Sequence, residues 1–592
     1  MSAAAFVVGL SLLAHDYTRY AYWVHRAALR AASALCLALA GSILILPGWR
    51  EVVVRHLDRL SGAPWKRHAA WLLATYAGIY IWYGFVRYCQ YRGFQLTQDT
   101  AFSIHLAHNF LRHGTLADTL SGAHALSIHF TLFMPILSPV LLLWDNPLAL
   151  LAAYHMLMAS TPIAAYLIAF RLTRSSLAGF ACMLLTLAMP TFQGLVFANM
   201  HVAVMAPIFL WGMLFFHMKR WWLFAFSMLL FVSCHESAPF PLIGLGFFYT
   251  ATERRWKNPR GWAIGLGITA AAIAIFFLQL RTIQHLESLE PNPIGTLPRT
   301  GLFAHLAGDG VPQEEVLHDI FTHPLRTASH LFSSRHVYYP VLRLLLTVCF
   351  LPLLTLAQLP FWTAVLPQLL ANPGAPASFL SFEASGYALF ASNNASYVFG
   401  PLLWATAHGV RLVMGWAKAP GRRGLLMLVV LLCAGFGYRY SSPSLIPGWT
   451  TDWFDAAPKV LPDIPKEARV WALDLLSPSL SDRRWIRVIE NGPDVPYHLG
   501  YQRLFKPDYV LISREWVHIA KPPYRDRMLT FWNLHGYRIA SEEAGVLLLR
   551  HPEPSATPQR VPQWIGLPAP DPAAAVEFAH YLLAEDGTRV QQ

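Results

Sequence analysis

Between residues 28 and 441 the chain is a succession of apolar runs broken by short polar stretches. Backbone placed in hydrocarbon must satisfy its own N–H and C=O groups, which only helices and closed barrels do. These runs lack the strict alternation of barrel strands and read as helices. Candidate spans cover residues 28–49, 69–87, 130–144, 148–170, 176–192, 202–216, 221–234, 239–252, 262–280, 341–357, 359–371, 397–416 and 425–441. Several are shorter than the ~20 residues that cross a bilayer unaided, which a bundle tolerates where neighbouring helices cover the ends. Charged residues make up 13% of the 592 residues, against about 25% in a soluble domain, and mean hydropathy is +0.38. The expected fold is a polytopic α-helical membrane protein of about 11–13 transmembrane helices.

The net charge of +12 raises nucleic-acid binding. No basic run interleaves with aromatic residues as a single-strand binder requires, and membrane proteins collect Lys and Arg in cytoplasmic loops, so no nucleic-acid partner is expected. The six cysteines lie in or beside apolar spans and none follows Cys433, which leaves the C-terminal region without a disulfide framework. No CxxC and no HExxH occur, so no metal centre is assigned. Residues 3–14 are apolar but too short to span, and no convincing signal-peptide cleavage site follows them.

Charge sets the orientation. Loops 50–68, 217–220, 253–260 and 418–423 carry the basic clusters and are expected in the cytoplasm. Parity then requires one run between 130 and 216 to stop short of crossing. The run 130–144, short and holding Pro135 and Pro139, is the one expected to do so. Loops 88–129, 281–340 and 372–396 and everything after 441 fall on the external side. The same parity puts Arg19, Arg26 and Arg30 outside, against the positive-inside rule.

After residue 441 the character changes. Short β-rich runs at 469–474, 485–490, 508–513 and 544–550 alternate with loop or helical stretches, as in a small α/β domain. Residues 552–572 are Pro-rich and read as an extended tether, and 573–585 as a final helix. The expected division is 1–68 as an N-terminal membrane hairpin or extension, 69–441 as the transmembrane domain, 442–551 as an extracytoplasmic α/β domain and 552–592 as a Pro-rich tail.

Polar residues that hydrocarbon does not tolerate gather at external boundaries. Asp99 opens an amphipathic stretch with Phe102, Leu106, Phe110 and Leu111 on one face, expected to lie along the membrane surface. It reads equally as the N-cap of that helix or as a general base at the mouth of the bundle. His129 precedes an apolar run, as a hydrogen-bonded interfacial residue or a substrate contact. Asn199 and His201 stand between two spans. His235 and Glu236 stand between two more, as a buried pair or a functional one, since an acidic group at this depth faces a protein interior or a wet cavity. Arg281, Arg299, Arg326, Arg335 and Arg343 in or beside loop 281–340 form either a solvated loop or a phosphate-holding surface.

The order of these elements resembles a bacterial membrane protein family, the domain of unknown function 2079, which is itself similar to the GT-C superfamily of membrane glycosyltransferases. The resemblance runs from about residue 70 to 550 and rests on TQDTAFSIHLAHNFLRHG around Asp99, His129 before a Pro-containing run, FANMH with His201, SCHES with Glu236, ASNNASYVFGPLL with Asn394, and RVWALDLLSPSLSDRRWIRVIE in the tail. Asn199 stands where an Asp is usual, His235 and Ser237 where Lys and Asp are, and Asn394 where a His is expected.

The resemblance implies a GT-C-like fold in the bacterial inner membrane and transfer of a sugar from a polyprenyl-phosphate donor at the extracytoplasmic face. Asp99, Glu236 and His235 would be catalytic. His129, His201, Asn199, Asn394, Arg335 and Arg343 would bind substrate. No organic cofactor is implied; a divalent cation held near Glu236 and His235 stays open. The implied partners are membrane lipids and the lipid-linked sugar. The departures leave a second reading, a non-catalytic structural or assembly subunit of a membrane complex. A third is a transporter of lipid-linked substrates, which calls for polar groups at mid-bilayer rather than at one face.

Overall fold

The computed structural model describes most of residues 30–289, 335–370, 396–440, 458–489, 507–513 and 536–552, with short gaps that include 196–199 and 253–258. Residues 1–29, 371–395 and 553–592 lie outside the described residues, as does nearly all of 290–334. Expectations for Arg19 and Arg26, the Pro-rich tether and the final helix therefore fall outside them.

The described chain is mostly helical. The principal helices are α1 (Arg30–Ile45), α2 (Trp65–Arg92), α3 (Gln98–His113), α4 (Pro147–Ala159), α5 (Thr161–Thr173), α6 (Ser176–Ala188), α7 (Met205–His217), α8 (Trp221–Val232), α9 (Pro239–Thr252), α10 (Pro259–Leu289), α11 (Arg335–Leu346), α12 (Leu359–Leu370), α13 (Ser396–Trp416) and α14 (Ala419–Tyr440). Among the described residues three stretches are long and apolar enough to cross a membrane, namely Pro147–Thr173, Met200–His217 and Gly261–Leu286. The shorter apolar helices Arg30–Ile45, Phe133–Leu142, Ser176–Ala188, Trp221–Val232 and Gly424–Tyr438 accompany them. Gly261–Leu286 is apolar all round and mostly uncovered, with Leu266, Phe277 and Leu278 exposed, as a lipid-facing helix would be. Met200–His217 is largely buried inside the bundle.

Local chemistry sets the breaks. Asn146 caps α4 by accepting a hydrogen bond from Leu148 N–H at 2.9 Å, and Pro147 occupies the first helical position, where its missing N–H costs nothing. Pro162 removes a donor just beyond Ser160, which divides the predicted span 148–170 into α4 and α5. The run 130–144 folds as a short helix, Phe133–Leu137, followed by one 3-10 stretch, Ser138–Leu142. Ten residues at 1.5 Å each rise roughly 15 Å, about half of a hydrocarbon core. The run 341–357 is not one helix: α11 ends at Leu346, the chain turns through left-handed Cys349 and Phe350, and 3-10 segments lead to α12.

Helix α13 is the centre of the bundle, buried along most of its length against α5, α7 and α12. Its fully buried Trp404 donates Nε1–H to His217 Nε2 on α7 at 2.9 Å. Helices α9 and α10 approach closely through glycines. A Cβ on Gly246 would lie 2.6 Å from the Gly265 carbonyl, and one on Gly265 would lie 2.8 Å from the Gly246 carbonyl. Small residues at such a crossing let two backbones touch, a packing mode that membrane helices favour.

The C-terminal region forms a sheet of five strands, β1 (Val470–Leu473), β2 (Ile486–Ile489), β3 (Tyr509–Ser513), β4 (Arg538–Glu543) and β5 (Val546–Arg550), in the order β2-β1-β3-β5-β4. β1, β2 and β3 are parallel, and β5 is antiparallel to β3. The four predicted strand runs coincide with these. The edge strand β4 carries RIASEE, too polar to read as a strand from its sequence. Asp508 ties together the starts of two adjoining interior strands: it pairs with the Arg469 guanidinium at 2.9 Å and accepts the Arg469 backbone N–H at 2.9 Å.

Candidate functional site

The site is built where two chain turns meet. The turn after α8 places the Ser233 carbonyl so that it accepts Leu132 N–H at 2.8 Å and Phe133 N–H at 3.1 Å. Three residues later, Glu236 Oε2 accepts Phe130 N–H at 3.0 Å, and Oε1 lies 3.0 Å from His129 Nδ1. From the opposite side Gln279 of α10 donates to the Val232 carbonyl at 2.7 Å, fixing the end of α8. Glu236 therefore holds segment 129–133 against the 233–236 turn. Its side chain is 17% exposed, and that of His129 44%.

Histidines surround this carboxylate. His235, largely buried, has Nδ1 3.7 Å from Glu236 Oε2, and the same nitrogen accepts Ser237 N–H at 3.1 Å. The rings of His129 and His235 stand 4.9 Å apart, and those of His129 and His201 6.4 Å apart. The Tyr397 ring of α13 stacks on His235 at 6.5 Å. His201 is fully buried, with Nδ1 3.1 Å from Ser103 Oγ of α3 and the Phe102 ring 5.6 Å from its own. Three sequence-predicted residues from two distant parts of the chain, His129 and the adjacent His235 and Glu236, thus bring ligand-type atoms within 4.8 Å of one another. His201 stands at their side.

The other expected residues fall differently. Asp99 is the second residue of α3, one turn before Ser103, so the two share a face of that helix; the Asp99 side chain lies outside the described residues. Asn199 and Asn394 lie outside the described residues. Arg335 opens α11, its side chain likewise outside them, and half-buried Arg343 closes the same helix. The predicted loop 281–340 begins later than expected, because α10 continues through Arg281 to Leu289.

Helix α3 differs most from expectation. Protein covers it on both its apolar and its polar sides between Ala101 and Asn109. Ile104, His105, Leu106, Ala107, His108 and Asn109 are all buried, while Phe110, expected on the embedded face, is 40% exposed. The helix is held between the 133–142 segment and the 3-10 turn Asp474–Leu480 of the C-terminal region. Its polar face is paired with protein rather than water. His105 Nδ1 lies 3.3 Å from the Ser481 carbonyl, and Asn109 Nδ2 donates to His105 Nε2 at 2.9 Å. Arg112 donates to the Asp482 carbonyl and to both carboxylate oxygens of Asp145. Burial pushes the His105 imidazole down to about 3 and that of His108 to about 4, so both are neutral. The Arg112 guanidinium holds the Asp145 carboxyl below its usual range.

Ser103 and the His105–Ser481 contact were not legible as site features. Ser103 is four residues beyond Asp99, but only the docking of His201 gives it a role. Arg87 was also missed: it is buried at the end of α2 and donates to Thr100 Oγ1 at 3.0 Å, beside the first turn of α3. An arginine closing an apolar span looks like an ordinary interfacial residue in sequence.

Comparison with known proteins adds the following. No curated protein matches the sequence. Among solved structures, the chain is similar to ArnT from Cupriavidus metallidurans bound to undecaprenyl phosphate, at a TM-score of 0.43 and 11% identity over 81% of this chain and 98% of that one. The same protein in the apo state gives a TM-score of 0.41 at 11% identity, with the same coverage. Residues 106–374, which include His129, His201, His235, Glu236, Arg335 and Arg343 but neither Asp99 nor Asn394, match the family model described as "Predicted membrane protein (DUF2079)".

Proposed function

We propose that this chain is an integral membrane glycosyltransferase-like protein that moves a sugar from a polyprenyl-phosphate donor to an acceptor at the extracytoplasmic face. The observation that carries the reading is the gathering of Glu236, His129, His235 and His201 at one end of the bundle, beside the helix that carries Asp99. A one-sided polar cluster in an apolar fold suits a lipid-linked substrate whose head group reaches only one interface.

In this reading residues 69–441 form the catalytic membrane domain, 1–68 an N-terminal extension, 442–551 an external α/β domain and 552–592 a tail. The acceptor hydroxyl attacks the anomeric carbon and its proton passes to Asp99. The bond from that carbon to the phosphate oxygen breaks, and the phosphate leaves with the electron pair. Arg335 and Arg343 offset the charge on the departing phosphate, while Asn199 and Asn394 orient the sugar or the acceptor. Glu236 and His235 shape the pocket wall through the 129–133 segment.

The test is transfer or hydrolysis of a radiolabelled polyprenyl-phosphate sugar in proteoliposomes. Asp99→Asn is expected to lower turnover at least about a hundredfold with donor binding retained. A folded Asp99→Asn protein with full activity would sink the base assignment.

A second reading, a non-catalytic assembly subunit, is favoured by one observation. Both oxygens of Glu236 already hold segment 129–133, as a structural clasp would. It predicts donor binding without turnover in the wild-type protein.

A further inference from the structure

We propose that His129, His235 and Glu236, completed by His201, form a binding site for one divalent transition-metal ion, with zinc as the best match. This site does not depend on which reaction the protein performs.

The spacing carries the inference first. Two ligands on a tetrahedral zinc ion at ~2.0–2.1 Å stand roughly 3.3–3.4 Å apart. The separations here are 3.0 Å from His129 Nδ1 to Glu236 Oε1 and 3.7 Å from His235 Nδ1 to Glu236 Oε2, on either side of that edge length. An ion entering between them replaces the His129 Nδ1–H···Oε1 hydrogen bond, with the His129 ring proton moving to Nε2. It also replaces the Ser237 N–H donation to His235 Nδ1. Small displacements of two turns suffice.

A second, independent observation is His201. It is fully buried, its Nδ1 is engaged by Ser103 Oγ at 3.1 Å, and its Nε2 has no hydrogen-bond partner among the described residues. Burying a polar atom without a partner costs about 1–3 kcal/mol. An imidazole with one nitrogen oriented by a neighbouring hydroxyl and the other left open is the arrangement of a metal-binding histidine with its outer support. Its ring is 6.4 Å from that of His129, within the reach of a shared ion after a modest loop shift.

Ligand type gives the selectivity. Three imidazoles and one carboxylate favour zinc and its first-row neighbours over magnesium or calcium, which prefer all-oxygen sites. His129, partly exposed, leaves one side of the ion accessible to water or to an anionic oxygen.

The experiment uses the full-length protein carrying an affinity tag without histidines, purified in detergent without chelator. Elemental analysis is expected to find close to one zinc per chain. After chelation, titration with zinc alone should restore one saturable site. Glu236→Gln retains an acceptor oxygen for Phe130 N–H and is expected to weaken zinc binding at least tenfold while remaining monodisperse. Ser103→Ala, which only orients His201, should weaken it by about tenfold. His285→Ala, an exposed histidine on α10 that is not one of the four ligands, should not change it. Less than a tenth of an equivalent of metal together with no saturable zinc site overturns the proposal. So does an unchanged affinity in Glu236→Gln, or zinc that His285→Ala removes as effectively.

Discussion

The contact between α3 and the C-terminal region should be acid-labile, and His105 sets the size of the effect. Its ring is fully buried, with Asn109 donating to Nε2 and Nδ1 facing the Ser481 carbonyl, so it is held neutral with the proton on Nδ1. Protonation at Nε2 would expel the Asn109 donor and bury a cation near His108 and His113. Docked, the group titrates at about 3; undocked and solvated, at its ordinary 6.5. The undocked state therefore binds more protons between these values, so docking is at full strength above 6.5 and weakens as pH falls below it. At pH 5, 1.5 units below 6.5, the loss is roughly 30-fold in the docking equilibrium, about 2 kcal/mol. His108, pushed to about 4, acts in the same direction, so this is the smaller bound. Hydrogen exchange of peptides covering 98–113 and 474–486, corrected for the intrinsic pH dependence of exchange, measures it. Protection in both segments should fall at least about 30-fold between pH 7.5 and 5, with most of the change removed in His105→Gln/His108→Gln. Equal protection at the two pH values, or an undiminished acid effect in the double variant, refutes the reasoning.

Gly246→Val should destabilise the α9–α10 crossing by about 1–3 kcal/mol or more, because its Cβ meets the Gly265 carbonyl and the Thr269 hydroxyl. Gly267→Ala, with open space at its Cβ, should be neutral or stabilising; thermal unfolding in detergent compares the two. Trp404→Phe removes the hydrogen bond to His217 and leaves Nε2 of that histidine unsatisfied, a cost of about 1–3 kcal/mol visible in the same assay. Asp508→Ala strands the half-enclosed Arg469 guanidinium and its backbone N–H. It should cost about 3–5 kcal/mol, read as raised protease sensitivity confined to the C-terminal sheet.

The sequence by itself determined the helices. Apolar runs and their breaks predicted most helix positions to within a few residues, and the half-length run at 130–144 followed from Pro135, Pro139 and loop-charge parity. Four sheet strands were equally visible, because strands buried on both faces read as continuous apolar runs. These are local properties: hydropathy, period and turn chemistry act within a few residues. The polar residues could be nominated one by one, since a charge beside hydrocarbon needs a reason wherever it sits.

Their grouping is another matter, and only the tertiary structure decided it. His129 meets Glu236 across 107 positions, and His105 meets Ser481 across 376. The amphipathic pattern of α3 specified one apolar face and one polar face, but not what the polar face would meet. Water, lipid head groups and the Ser481 carbonyl all satisfy a histidine, and no local rule distinguishes among them. The choice is made by the free energy of docking the C-terminal region, which sums many contacts distant in the chain.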